Sequence, residues 1–290
     1  MKNIILINLF ILFFLNISPS FAAKFPNIPK GIYVENGTGT FCDRKGRSYG
    51  HVIVVIDLTT KLDGARIEFI KDQVFSKEFY LNYDPFTKFS YFLIDHNEPT
   101  KQKFLFSKCR PKTGGKGIEK ATIFENTKVL ESYSKEFFKG GNDLHKEIFS
   151  VTKESKYSYI YETIANIFQN PKSDFKSNHP KRDFVIVSDL LQNTERFSFY
   201  EVCNASSDEA LCPTFDDFMD NPSDEDYILS TSPNGKNINL QMIYLNNRCE
   251  TNKALDVSLK VLWEGYFQSR NFNLLPTVHQ TDINVVGNCP

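Results

Sequence analysis

The sequence predicts an α/β domain: a Rossmann-like, mostly parallel central sheet with one antiparallel edge strand and helices on both faces. Three observations predict it. The stretch HVIVVIDLTTKL, residues 51–62, holds an unbroken β-branched run that ends at Asp57, the pattern of a strand buried on both faces. A second run, DFVIVSD at residues 183–189, also ends in an acid. Around both lie segments with apolar residues at helical spacing, and strands alternating with helices build a parallel or mixed sheet covered on both sides. In such sheets ligands gather beyond the carboxyl ends of the strands, which puts Asp57 and Thr59 on the functional rim.

At 290 residues and 41% hydrophobic content, the chain can bury one sizeable core with insertions. A net charge of −1 gives no sequence-wide pull toward nucleic acid or anionic membrane, so no nucleic-acid partner is expected. Residues 1–22 read as a signal peptide: Lys2, an apolar run, then a small-x-small cleavage site at Ser20-Phe21-Ala22. The mature chain is therefore expected outside the cytoplasm, in the periplasm or outside the cell, with no membrane span. In that compartment Cys42, Cys109, Cys203, Cys212, Cys249 and Cys289 are disulfide candidates, and Cys203 with Cys212 closes a local loop. The expected plan is an N-terminal hairpin or extension over 23–50, the main domain over 51–270 with an acidic loop insertion near 203–232, and a tail over 271–290.

Taken in order, Asn36-Gly37 marks a turn in the N-terminal extension. Residues 62–79 carry Ile67, Ile70, Val74 and Phe75 at helical spacing. FTKFSYFLI, 86–94, is the next strand, and KFLFSKC, 103–109, an antiparallel edge strand whose lysines resist pairing with other chains. CRPKTGGKG lacks a phosphate-loop ending and reads as a solvated connection. Residues 118–138 form a helix that Gly140-Gly141-Asn142 breaks, with a second helix over 143–152. A further helix is expected over 155–168, stopped by Asn170-Pro171. INLQMIYL, 238–245, is a last core strand and 252–267 a last helix. Within the acidic insertion, Cys203 and Cys212 would staple the first part, and Phe215 and Phe218 would pin the next. His51, His96, His145, His179 and His279 are scattered, and each reads as a surface or loop residue.

This order of strand-Asp-x-hydroxyl, helix, strand, antiparallel edge strand, helices and strand-Ser-Asp resembles the von Willebrand factor A-like domains. The resemblance covers residues 52–267 as a pattern, and its specific evidence is three short pieces. In that family a divalent cation sits at the top of the sheet in a metal-ion-dependent adhesion site. Carried over, Asp57 matches its first acid, Thr59 its first hydroxyl, Ser158 the hydroxyl that opens a later helix, and Asp189 the later acid. Lys61 stands where the family has its second hydroxyl, a degenerate feature through which an ammonium can replace the ion. The resemblance implies a non-catalytic, exported protein-binding domain acting in adhesion or in assembly of an envelope or extracellular complex. Its cofactor would be Mg²⁺, Mn²⁺ or Ca²⁺, or none, and its partner a protein presenting an acidic group.

An enzyme alternative rests on IDLTT and VIVSD, which also resemble the first two motifs of haloacid dehalogenase-type phosphatases. There Asp57 would be the nucleophile and Ser188 the later hydroxyl. Thr59 stands where that chemistry needs its second acid, and Asn246-Asn247 where it needs its late acidic pair.

Overall fold

The computed structural model describes residues 50–94, 104–121, 123, 125–150, 155–170, 173, 175, 181–195, 197–203, 211–219, 234–245 and 253–280. The expected signal peptide, the expected N-terminal hairpin, most of the acidic insertion, Cys42, Cys249, Cys289 and residues 281–290 lie outside them.

β1 (Gly50–Asp57) is buried along its whole length, as its continuous β-branched run requires. It lies between β2 (Thr87–Ile94) and β4 (Arg182–Ser188), parallel to both. β3 (Phe106–Cys109) pairs antiparallel with β2 and ends the sheet on that side. β5 (Asn239–Tyr244) runs parallel to β4, and β6 (Asn273–Leu274) and β7 (Val278–His279) both pair parallel with β5. The order is β3-β2-β1-β4-β5-β6, an α/β, Rossmann-like, mostly parallel sheet with one antiparallel edge strand.

Side-chain alternation along β1 divides the core in two. Ile53 and Val55 face a cluster built with α4 (Ile160–Gln169) and α7 (Lys253–Ser269), including Ile164, Leu259 and Trp263. Val52, Val54 and Ile56 face a cluster built with α1 (Gly64–Val74), α2 (Lys77–Leu81) and α3 (Thr127–Ser150). The remaining short helices are α5 (Phe199–Val202) and α6 (Phe215–Met219). Residues 62–79 hold two helices rather than one, because Asp63 and Ser76 each cap a new start by accepting from the amides of Arg66 and Phe79.

The expected break at Gly140-Gly141 is absent: α3 runs through both glycines and begins at Thr127 rather than near 118. The reason is close packing. A Cβ on Gly141 would lie 2.7 Å from the Tyr80 hydroxyl and 3.2 Å from its ring. Tyr80 is fully buried, and its hydroxyl meets that of Tyr91 at 2.9 Å. Here glycine admits a neighbouring ring instead of ending the helix.

Three other expectations are corrected. The basic loop after β3 is not simply solvated: Arg110 is fully buried, donating to the Tyr83 carbonyl at 2.7 Å and pairing with Glu119 at 2.5 Å. Charge pairing and carbonyl contacts make that burial tolerable. His51 and His145 are core residues, not surface ones; His51 meets the Ser90 hydroxyl at 2.9 Å and the edge of Phe175. Residues 271–280 are not a mere tail, since β6 and β7 hydrogen-bond to β5 along its outer edge.

Cys203 and Cys212 form the expected disulfide, and Cys109 is also disulfide-bonded. Phe215 reaches the core beside it, its ring 6.2 Å from that of Tyr266.

Gly141→Ala tests the α3 packing. In an open helix this change stabilises by about 1 kcal/mol. Here it should destabilise by about 1–3 kcal/mol through overpacking against Tyr80, with part recovered by adding Tyr80→Phe. A urea midpoint that rises in the single variant would refute the close packing.

Candidate functional site

β1 delivers Asp57 to its carboxyl end, and Leu58 still donates its amide to the Ile94 carbonyl at 2.8 Å, so the chain leaves the sheet only after the acid. It then folds back at once. Thr59 donates to Asp57 Oδ1 from its amide at 3.0 Å and its hydroxyl at 2.6 Å. Asp57 Oδ2 accepts from the Ser158 hydroxyl at 3.0 Å and the Ser188 hydroxyl at 2.8 Å. One carboxylate thus gathers the exit of β1, the approach to α4 and the last residue of β4.

Each hydroxyl is held from behind. Ser158 precedes α4 instead of lying inside it, because its backbone pairs with Asn193, with Ser158 N–H donating to the Asn193 carbonyl at 2.6 Å. Ser155 N–H donates to the Thr59 carbonyl at 2.9 Å, tying the first loop to this segment. Ser188 accepts from the Leu190 amide at 2.8 Å, so its own proton is directed at Asp57. Leu190 is left-handed, with φ 61°, an unfavourable conformation for a branched side chain. The Trp263 indole holds it by donating to the Leu190 carbonyl at 2.8 Å. Gln192 anchors the same loop to α4, accepting from the Tyr161 amide at 3.0 Å and donating to Glu162 at 2.9 Å.

Asp189 lies beside this group. Its Oδ1 accepts from the Leu191 amide at 3.1 Å and its Oδ2 from the Thr60 hydroxyl at 3.2 Å. Asp57 and Asp189 are both about 5% exposed. Burial, reinforced by the negative charge of Asp189, pushes the Asp57 carboxyl from 3.8 up to about 6. The hydrogen bonds from Thr59 and Ser188 oppose that rise.

The structure therefore brings Asp57, Thr59 and Ser158 into direct contact and sets Asp189 beside them through Thr60. Lys61 is exposed, and hydroxyls rather than its ammonium meet Asp57. Ser188 and Thr60 join the group although neither is among the ligand positions carried over from the family; the signal was the hydroxyl in each of the pairs Thr59-Thr60 and Ser188-Asp189. None of these hydroxyls caps a helix: α1 is capped by Asp63, and the N-cap of α4 is Tyr159, which makes no side-chain cap hydrogen bond. Phosphoryl transfer would need a second acid two residues after the nucleophile, and Thr59 stands there, donating its hydroxyl to Asp57 at 2.6 Å.

The donor set is all oxygen. Among the described residues no three His, Cys, Asp or Glu side chains gather to hold a metal. Two carboxylates with hydroxyls suit a hard cation that keeps part of its water, not a thiolate or imidazole metal. A hydroxyl that donates to a carboxylate still has lone pairs for such an ion.

No family model matches the chain, and no curated protein matches it. Among solved structures, an aerotolerance-related membrane protein from Bacteroides fragilis aligns at 9% identity and a TM-score of 0.32, over 80% of this chain and 92% of that one. Proximal thread matrix protein 1 from the mussel byssus aligns at 9% identity and a TM-score of 0.33, over 77% of this chain and 48% of that one. A further structure of the mussel protein, with a zinc-occupied MIDAS motif, aligns at a TM-score of 0.29 and 9% identity, over 77% of this chain and 45% of that one. At such distances the functional reading of this chain rests on its own residues.

The raised Asp57 carboxyl has a measurable consequence. The folded state holds this proton more tightly than the unfolded chain, so the associated stability is full below about pH 4 and is lost as pH rises through about 6. In EDTA, Asp57→Asn should therefore gain on the wild type by roughly 2–3 kcal/mol between about pH 4 and pH 8. Thermal melts of both proteins across that range check it, and a difference independent of pH would contradict the buried-carboxyl geometry.

Proposed function

We propose that the chain is an exported, non-catalytic protein-binding domain of the von Willebrand factor A-like kind. It works in adhesion or in assembly of an envelope or extracellular complex. The observation that carries the reading is the convergence on Asp57 of hydroxyls from three separate segments, with a second carboxylate, Asp189, beside them. Adjacent buried carboxylates repel, and a divalent cation relieves that repulsion. Asp57, Thr59, Ser158 and Asp189 would hold Mg²⁺, Mn²⁺ or Ca²⁺, which supplies a Lewis-acidic position for a carboxylate on the partner protein. The chain's own part is to orient the ligands: Asn193 fixes Ser158, the Leu190 amide directs Ser188, and Trp263 holds the loop that carries Asp189.

Export is supported by the signal-like residues 1–22 and by the Cys203–Cys212 disulfide, which suits an oxidising compartment. Among the described residues no helix is long and apolar enough to cross a membrane.

The test is the melting temperature of the oxidised protein in EDTA and in millimolar Mg²⁺, Mn²⁺ or Ca²⁺. At about 100 times its Kd, a cation that binds only the folded state adds about 2.7 kcal/mol, a rise of roughly 5–10 °C. The rise should vanish in Asp57→Ala and grow in Lys61→Ser, which restores a hydroxyl and removes a nearby positive charge. No shift with any cation, in the wild type and in Lys61→Ser alike, would sink the cation-dependent reading.

A further inference from the structure

The end of the sheet opposite Asp57, where β4, β5 and β6 begin, carries an open pocket of about 650 Å³ lined by Lys181, Arg182 and Lys236, with the Lys181 ammonium 5.3 Å from the centre of the Tyr83 ring. Among the described residues no carboxylate lines it. Asp183, the next residue along β4, is buried, and its Oδ1 accepts from the Asn239 amide at 2.7 Å. The wall is therefore positive and, Phe272 apart, polar.

Four asparagines complete it. Asn237 and Asn271 sit at turn positions with φ of 62° and 64°, a conformation asparagine tolerates better than most residues. Their side chains make no hydrogen bond within the described structure. Asn239 and Asn273 are joined, Asn273 Nδ2 donating to Asn239 Oδ1 at 2.6 Å. The two turns that carry this set are locked together. The Gly235 amide donates to the Arg270 carbonyl at 2.8 Å, Arg182 donates to the Lys236 carbonyl at 2.7 Å, and the Phe272 ring packs on Gly235, where no Cβ would fit.

We infer that this cavity binds an acidic sugar, a saccharide bearing a carboxylate. The cations answer the charge. The Asn237 and Asn271 amides, each both donor and acceptor, answer hydroxyls spread over a ring, while Asn239 and Asn273 brace the wall. The volume falls within the range of about 300–1,000 Å³ typical of small-molecule sites, far more than a lone inorganic anion fills. The polar lining suits a ligand that is itself strongly hydrated.

Calorimetric titration of the oxidised protein with tri-galacturonic acid tests this, with neutral galactose trisaccharide and inorganic phosphate as comparison probes. Saturable binding of the acidic trisaccharide alone is expected, weakening about tenfold or more in Lys236→Glu and in Asn271→Asp. It should also weaken as salt rises from about 0.05 M to about 0.5 M. Both positions are exposed, so neither change disturbs the core. Equal binding of the neutral sugar, equal binding of phosphate, unchanged affinity in both variants, or no binding at millimolar probe would each overturn the inference. Asp57→Ala in EDTA should bind the acidic trisaccharide as the wild type does, so a failed cation reading leaves this result standing.

Discussion

The upper end of this molecule depends on how one buried carboxylate is satisfied. An ionised acid at the tip of a central strand, nearly out of contact with water, is costly unless its oxygens are met. Asp57 meets that condition with hydroxyls drawn from 101 and 131 residues downstream as well as from its own loop. Satisfying it fixes where the chain leaves β1, where α4 begins and where β4 ends. The left-handed Leu190, the Trp263 hydrogen bond and the Asn193 bridge all serve positions within or just behind this network.

The parts legible in the sequence were those with a local or periodic cause. Continuous β-branched runs become central strands because only side chains without polar atoms fit between two covered faces, and residues 52–56 and 184–187 did so. The antiparallel edge strand and the local disulfide were readable for similar reasons of pattern and spacing. What the sequence hid was long-range. Gly141 looked like a helix breaker because its reason, the Tyr80 ring, lies 61 residues away. Arg110 looked solvated because burial of a guanidinium depends on the Tyr83 carbonyl and Glu119 arriving around it. His51 and His145 gave no sign of being core residues, since a histidine ring packs or titrates according to neighbours that only the fold supplies.

The candidate site was legible to a similar degree. Asp57 and Asp189 followed from strand-end position, and Thr59 from its place two residues on. Ser158 required the family pattern, because nothing within its own segment marks it as facing a carboxylate. Ser188 was visible as a hydroxyl next to an acid, but its role comes from the Leu190 amide that turns its proton toward Asp57. Lys61 illustrates the converse: a charged residue in a suggestive sequence position whose side chain the loop carries out to solvent.

The pairing of β1 also dictates an order of events while the chain is being made. One flank of β1 is covered by β2, whose residues follow 37 positions later, but the other waits for β4, 131 positions on from His51 to Arg182. Until that stretch has emerged, a strand buried along its whole length in the finished fold exposes an open row of backbone donors and acceptors, the kind of edge on which unfinished chains stick to one another. A chain made from its amino end presents that edge early and completes it late, so the demand for shielding arises from topology before any ligand is present.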